Sequence, residues 1–159
     1  MKKECPIPKI LLAVDGSEDS KRATYYTACL AQAFGDKVTK ITIFFVVEVE
    51  YPRGIRELSQ KERKRLLRQL EETKFEDADF ILEEAEKILI DYGISKDKIE
   101  KKVVEGRPWE EIIREGREGG YSIVVLGKKG KSKIEEFIMG SVAKMVVDRA
   151  KGLAVLLVE

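Results

Sequence analysis

Five short apolar runs alternate with longer segments of helical periodicity, and this alternation leaves very few folds open to the chain. The runs are predicted to form strands at Pro8–Val14, Val38–Val49, Ile99–Val104, Ser122–Leu126 and Ala154–Val158. Short apolar strands separated by helices are typical of a parallel sheet with right-handed crossovers and helices on both faces. The sequence therefore predicts one α/β domain over residues 1–159, with the order β-α-β-α-β-α-β-α-β.

The segments between the runs repeat apolar residues every three to four positions, as amphipathic helices do. Ser17 is predicted to cap the first helix, which runs to Phe34 and stops at Gly35. The predicted inner face of this helix consists of Ala23, Tyr26, Thr27, Leu30, Ala31 and Phe34. The third helix carries Pro108 in its first turn, and the fourth covers Ser141–Ala150.

The second helical segment, Ser59–Tyr92, is the longest and opens with a capping box of Ser59 and Glu62. One unbroken helix of this length would measure roughly 50 Å, more than the width of a small domain. We therefore expect either a break near Thr73–Phe75 or a first half that protrudes and packs on a partner. The sequence leaves the conformation of Pro52–Phe80 open.

The charges nearly cancel, with 30 Lys and Arg against 29 Asp and Glu and a net charge of +1. Nucleic-acid-binding proteins usually carry a strong basic excess, so we expect no nucleic-acid partner. No stretch approaches the roughly 18 apolar residues that span a bilayer, and Met1–Pro6 is not followed by the apolar core of a signal peptide. We expect a cytoplasmic protein with no membrane segment.

The sequence contains no histidine. This excludes a Ser-His-Asp triad, a histidine general base and the commonest zinc ligand. The two cysteines, Cys5 and Cys29, form no metal-ligand set, and we expect free thiols in a reducing compartment.

Two segments are predicted to meet at the carboxyl edge of the sheet, where open parallel sheets bind ligands. One is Asp15, and the other is the loop from Gly127 to Gly130 that continues to Gly140 and Ser141. Glycines let backbone amides approach a phosphate chain, and the start of a helix attracts an anion. Lys128 or Lys129 would add positive charge. From spacing alone, a plain turn followed by an N-cap is equally compatible.

The glycine spacing gives this site its family resemblance. Gly127-x2-Gly130-x9-Gly140-Ser141 resembles the Gly-x2-Gly-x9-Gly-(Ser/Thr) motif of the ATP-binding group of universal stress proteins. Lys9–Ser17 is similar to the first strand and turn of that family, and Val104–Pro108 to its loop after the third strand. The resemblance covers nearly the whole chain. It implies an adenine nucleotide alpha hydrolase-like fold with strand order 3-2-1-4-5.

The resemblance also implies ATP, with Mg²⁺ or Mn²⁺, as the ligand. Residues on the adenine and ribose side would be Ala13, Val14, Asp15, Val46, Leu126 and Gly127. Residues on the phosphate side would be Lys129, Gly130, Gly140, Ser141 and Val142. Asp15 would serve the metal indirectly, through the phosphates that the ion bridges.

Family members commonly dimerise through the last strand, so the resemblance implies a homodimer along Ala154–Val158. The function implied is a nucleotide-dependent sensor or switch in stress response, with at most slow ATP hydrolysis and an unidentified protein partner. The segment from Glu57 to Gln69 is a candidate reporter of occupancy. Three positions or segments depart from the family pattern: Lys128-Lys129, Ala143, and Lys151–Leu153, where a proline is usual.

Three other interpretations were weighed. Gly130-Lys131-Ser132 resembles the end of a P-loop, but the earlier glycine of that motif is replaced by Val125. Asp15–Ser20 partly resembles the loop of ATP pyrophosphatases, although the chain has no spare residues for a substrate-binding extension. A dimeric interaction module that binds no nucleotide is the strongest alternative, yet relatives of that kind typically lose the glycine motif.

Overall fold

The computed structural model describes residues 9–48, 50, 52–130 and 138–159. Its five strands are β1 (Lys9–Ala13), β2 (Lys40–Val47), β3 (Ile99–Glu105), β4 (Ile123–Gly127) and β5 (Ala154–Val158). All pair in parallel, in the order β3-β2-β1-β4-β5. This confirms the predicted α/β fold and strand order. The strand ends predicted at Pro8 and Val49 lie outside the described residues.

Four helices connect these strands: α1 (Glu18–Phe34), α2 (Gln60–Asp91), α3 (Pro108–Glu118) and α4 (Ser141–Arg149). α1 and α2 cover one face of the sheet, and α3 and α4 cover the other. In β1 the side chains of Ile10 and Leu12 enter the first layer, while Leu11 enters the second. Successive strand residues point to opposite faces, so burial on both sides requires the continuous apolar runs seen in the sequence.

α1 starts as predicted but presents a different inner face. The Ser17 hydroxyl accepts a hydrogen bond from the Ser20 amide at 3.1 Å and caps the helix. Tyr26 was predicted to face inward, but 56% of its surface is exposed, so that prediction is wrong. Thr27 is buried as predicted, and Thr24 is buried although it was not predicted to be. Each threonine hydroxyl donates to the carbonyl four residues earlier. These hydrogen bonds within the helix satisfy the threonine hydroxyls, so small hydroxyl residues, rather than a large aromatic one, can pack against the sheet.

α2 is one continuous helix of 32 residues, so the predicted break at Thr73–Phe75 is wrong. The capping box of Ser59 and Glu62 is present. Its buried residues begin only at Ala78, so the first half does not contribute to the apolar core. Arg63 holds that half by donating to the carbonyl oxygens of Ile55 and Arg56, both at 3.1 Å. Within the described ranges, no helix combines the length and apolarity needed to cross a membrane.

Tyr121 links the second layer to the sheet at the edge opposite the carboxyl ends of the strands. It is buried, and its hydroxyl donates to the buried Thr42 hydroxyl at 2.8 Å. Burial raises the pKa of the Tyr121 phenol above its ordinary value. The bond therefore joins β2 to the chain entering β4 in a region closed to water.

We predict that Tyr121→Phe lowers the free energy of unfolding by about 1–3 kcal/mol, because a buried acceptor loses its donor. Tyr26→Phe is the matched control and should change little, since Tyr26 is exposed. The pKa of Tyr121 is raised by folding, so its contribution is complete at neutral pH and is lost as the pH rises through the raised value. Urea unfolding at several pH values measures both effects. Equal losses in the two variants would contradict the prediction.

Candidate functional site

A pocket of about 400 Å³ opens at the carboxyl ends of β1, β2 and β4. The first residues of α4 and the middle of α2 complete its wall. All the predicted site residues line it: Ala13, Val14, Asp15, Val46, Leu126, Gly127, Lys129, Gly130, Gly140, Ser141 and Val142. The structure thus brings together residues from segments that are far apart in sequence.

One side of the pocket is apolar. Val14 and Leu126 are buried and Val46 is half-buried. Phe44 from β2 and Ile112 from α3 add apolar surface that the motif did not indicate. A wall of this kind suits a flat, weakly polar group such as a nucleobase.

The other side of the pocket is formed by backbone at the start of α4. The Gly140 amide donates to the Lys128 carbonyl at 2.8 Å, which holds the loop after β4 against the helix start. No side chain among the described residues caps α4 at Gly140. The first amides of a helix have no intrahelical acceptors, so Ser141 and Val142 present donors at the positive end of the helix dipole. This side of the pocket therefore favours an anion.

The first turn of α1 fixes the two loops relative to each other. Asp15 accepts a hydrogen bond from the Ser17 amide at 2.9 Å, and the Asp15 amide donates to the Ser20 hydroxyl at 3.1 Å. The Lys129 amide donates to the Asp19 carboxylate at 3.0 Å, and the Ser17 hydroxyl donates to the Lys129 carbonyl at 3.2 Å. Sequence reasoning used Ser17 only as a cap and gave Asp19 and Ser20 no role at this site.

None of the three motif glycines has a positive φ, so their backbone angles do not require glycine; at Gly127 and Gly140 the constraint is close contact with backbone atoms. A Cβ on Gly127 would lie 2.8 Å from the Asp19 carbonyl carbon and the Ser20 amide nitrogen. Gly127 therefore also serves the packing of β4 against α1, a role that the motif did not indicate. A Cβ on Gly130 would lie 3.0 Å from the Asp15 carboxylate, and one on Gly140 would lie 3.1 Å from the Lys128 carbonyl oxygen.

Both loop lysines interact with Glu159, a partner that the sequence did not indicate. The Lys128 ammonium lies 2.9 Å from the Glu159 carboxylate, and the Lys129 ammonium lies 3.5 Å from it. The hydrogen bond from Lys128 and the lysine charges lower the pKa of Glu159 below its ordinary value. The positive charge expected at the pocket is thus partly neutralised by the residue that follows β5.

α2 also contributes to the pocket, through Lys74 and Asp77. The Lys74 ammonium donates to the Glu48 carbonyl, which ties the middle of α2 to the end of β2. These residues were missed because a predicted break at Thr73–Phe75 leaves the position of Lys74 undefined. No cluster of three or more potential metal-ligating residues occurs within the described part of the chain.

Gly127→Ala is predicted to lower the free energy of unfolding by about 1–3 kcal/mol, because its Cβ would overlap backbone atoms of α1. Gly130→Ala is the comparison, since its Cβ would meet only the end of the flexible Asp15 side chain. Chemical unfolding of both variants by circular dichroism tests this. A Gly130 variant as destabilised as the Gly127 variant would contradict the packing role.

Comparisons with known proteins agree with this fold. The model of the universal stress protein family matches residues 6–158. The chain is 28% identical over 142 residues to universal stress protein MJ0531 of Methanocaldococcus jannaschii, which covers 89% of this chain and 76% of that protein.

Two solved structures extend the comparison. The structure of protein MJ0577, from the same organism, aligns with a TM-score of 0.75 and 26% identity over 97% of this chain and 96% of that one. A universal stress protein in complex with cAMP aligns with a TM-score of 0.69 and 22% identity, over 98% and 99% of the two chains. Because the family model matches residues 6–158, which is nearly the whole chain, the chain belongs to the universal stress protein family.

Proposed function

We propose that this protein is an ATP-binding universal stress protein that acts as a nucleotide-dependent sensor or switch. The observation that carries the proposal is the shared pocket, because the eleven residues that the family resemblance implies for a nucleotide site all line it. The volume of about 400 Å³ lies in the range typical of small-ligand sites. A relative solved in complex with cAMP gives an example of an adenine nucleotide in this fold.

In the proposed complex, the adenine lies against the apolar wall, with Ala13 and Val14 on one side and Val46 on the other. Leu126 and Gly127 flank the ribose. The phosphates reach Gly130, Gly140 and the amides of Ser141 and Val142, with Lys129 near them. Mg²⁺ or Mn²⁺ would supply positive charge that offsets the phosphates, and Asp15 would serve the ion indirectly, through the phosphates. These groups bind and orient a nucleotide.

The proposal is for a binding protein with at most slow ATP hydrolysis. Hydrolysis requires a group that positions or deprotonates the attacking water. The Asp15 carboxylate already accepts from the Ser17 amide, and Asp19 accepts from the Lys129 amide and lies 2.6 Å from Arg22. Both carboxylates therefore serve the architecture of the loops. We place this single domain, residues 1–159, in the cytoplasm, with a protein partner that responds to nucleotide occupancy.

We further propose a homodimer through β5, Ala154–Val158. The two edges of the sheet differ in chemistry: β3 carries the exposed charges Glu100 and Lys101, while β5 is entirely apolar. Charged edge strands resist pairing, and an apolar edge invites it. Backbone hydrogen bonds and apolar contacts would make this dimer insensitive to salt. Sedimentation velocity in high salt tests it, and a monomer at micromolar concentration would contradict it.

The nucleotide proposal predicts that purified protein releases adenine nucleotide on denaturing extraction and gives heat when titrated with ATP and Mg²⁺. Ser141→Asp should weaken ATP binding by about tenfold or more, because it places a negative charge beside the phosphates. The same change favours the start of α4, so the variant should still fold. Ser141→Asn is the matched control, because asparagine has nearly the shape of aspartate without its charge. This variant should bind ATP within a few-fold of wild type.

No released nucleotide and no titration heat at millimolar ATP would contradict ATP binding. The dimeric interaction module, with the same β5 interface and no nucleotide, would then replace it. Equal affinity of the Ser141→Asp and Ser141→Asn variants would place the phosphates away from α4.

Glu159→Gln is predicted to strengthen ATP binding by about two- to fivefold, because Lys128 and Lys129 lose the carboxylate that competes with phosphate. Glu118→Gln is the matched control, since it removes one exposed carboxylate at the far end of α3. Titration calorimetry of the three proteins measures the ratio. Equal tightening in the two variants would attribute the effect to net charge and contradict the role of Glu159.

A further inference from the structure

The outward face of α2 separates its charges along the helix. Between positions 61 and 79, apart from Glu62 of the capping box, the exposed basic residues of this face come first and the exposed acidic residues follow. The basic set is Lys61, Lys64, Arg65 and Arg68, and the acidic set is Glu71, Glu72, Glu76 and Asp79. Phe75, with 40% of its surface exposed, lies within the acidic part.

These residues form one continuous stripe. Positions 61, 65, 68, 72, 75 and 79 are separated alternately by four and three residues, which is the spacing of a seam between two paired helices. The buried residues of α2, Ala78, Ile81, Leu82, Ala85 and Leu89, lie to one side of the stripe, roughly 60–160° around the helix from it. All six stripe positions are exposed, so the stripe faces solvent over about five turns.

The arrangement is unfavourable for an isolated helix. Residues four apart are neighbours, and like charges at this spacing destabilise a helix. Lys61 precedes Arg65, Lys64 precedes Arg68, and Glu72 precedes Glu76 at this spacing. Where the two halves meet, the basic Arg68 lies four residues before the acidic Glu72. This order of opposite charges stabilises a helix less than the reverse order does.

None of the ion pairs among the described residues involves a side chain between positions 61 and 79. The structured part of the chain thus leaves the stripe uncompensated. A surface with complementary charge must be acidic where it meets positions 61–68 and basic where it meets positions 71–79. The same helix in a second copy of the chain, aligned antiparallel, has this pattern.

We propose that α2 forms an antiparallel contact with α2 of a second copy, about a two-fold axis level with position 70. Lys61 of one copy then faces Asp79 of the other, Lys64 faces Glu76, and Arg68 faces Glu72. Arg65 faces Phe75, which gives each half a cation–π contact. Every pair occurs twice, as a two-fold axis requires.

This contact is distinct from the β5 dimer and does not depend on nucleotide binding. Its pairs are exposed, and two helices bury less surface than a stable dimer interface, so the association is weak and is screened by salt. Combined with the apolar β5 interface, it would join dimers into larger assemblies at low ionic strength.

The test is zero-length carbodiimide cross-linking of an equal mixture of ¹⁴N- and ¹⁵N-labelled full-length protein. Along one helix Lys61 and Asp79 are roughly 27 Å apart and Lys64 and Glu76 roughly 18 Å apart, so a direct amide between them can form only between copies. Mass spectrometry should find mixed-isotope Lys61–Asp79 and Lys64–Glu76 links at about 20 mM salt. The links should fall at least fivefold at about 0.5 M salt.

Two charge-reversed variants provide the second arm. Lys64→Glu with Arg68→Glu makes the stripe acidic throughout, and Glu72→Lys with Glu76→Lys makes it basic throughout. Each variant alone should lose the larger assemblies in sedimentation velocity, and an equal mixture should regain them. Lys37→Glu with Lys151→Glu is the matched control, because it changes the net charge equally at two exposed sites off the stripe.

The proposal is overturned if wild type gives no mixed-isotope link between the two halves at high protein concentration. It is also overturned if the mixture of reversed variants associates no better than each variant alone. Circular dichroism melts of every variant separate a lost contact from a lost fold.

Discussion

The approach of β4 to the first turn of α1 is the constraint on which the rest of the structure depends. At Gly127 the strand end touches the backbone of Asp19 and Ser20 so closely that one extra carbon would collide. This contact places the Lys129 amide within 3.0 Å of the Asp19 carboxylate. Residues 128–130, which follow β4 directly, are therefore held by α1, and the Gly140 amide joins the start of α4 to them. A pocket assembled this way is largely preorganised, which reduces the ordering cost of binding.

The parts of the fold that were predictable are those set by local pattern. The bounds of β5, the capping box at Ser59 and the edge at which the site residues converge all follow from apolar runs, a short-range motif and parallel topology. Two kinds of feature were not predictable: which side of α1 packs on the sheet, and which partner a residue meets at long range. Tyr26 is exposed, while the buried Thr24 and Thr27 donate their hydroxyls to carbonyl oxygens within α1. Glu159 lies 31 residues from Lys128, and no local signal announces their pairing.

α2 is too long to pack on the core along its whole length. Of the two conformations expected from that length, the broken helix is wrong, while a first half that extends beyond the core agrees with burial beginning only at Ala78. The first half is instead held by the capping box and by Arg63 on neighbouring carbonyl oxygens. Hydrogen bonds and helix propensity can sustain a helix beyond its core contact, and Leu, Arg, Lys and Glu are strong helix formers. The same extension carries Lys74 to the end of β2, so one rigid element spans both the pocket and the exposed charge stripe.

That continuity decides how a bound ligand would act at a distance. A ligand shifts a conformational equilibrium only if it binds the two conformations with different affinity. Only contacts at the pocket that can break and be replaced by contacts with the ligand can contribute to such a difference. The apolar strand ends are buried on both faces of the sheet and have no such contacts. The bond from Lys74 to the Glu48 carbonyl and the pairs from Lys128 and Lys129 to Glu159 lie at partly exposed side chains, and phosphate or nucleobase atoms compete for the same donors. Ligand binding would therefore act through the contacts of α2 with the end of β2 and of Glu159 with the loop lysines, while the central sheet stays unchanged.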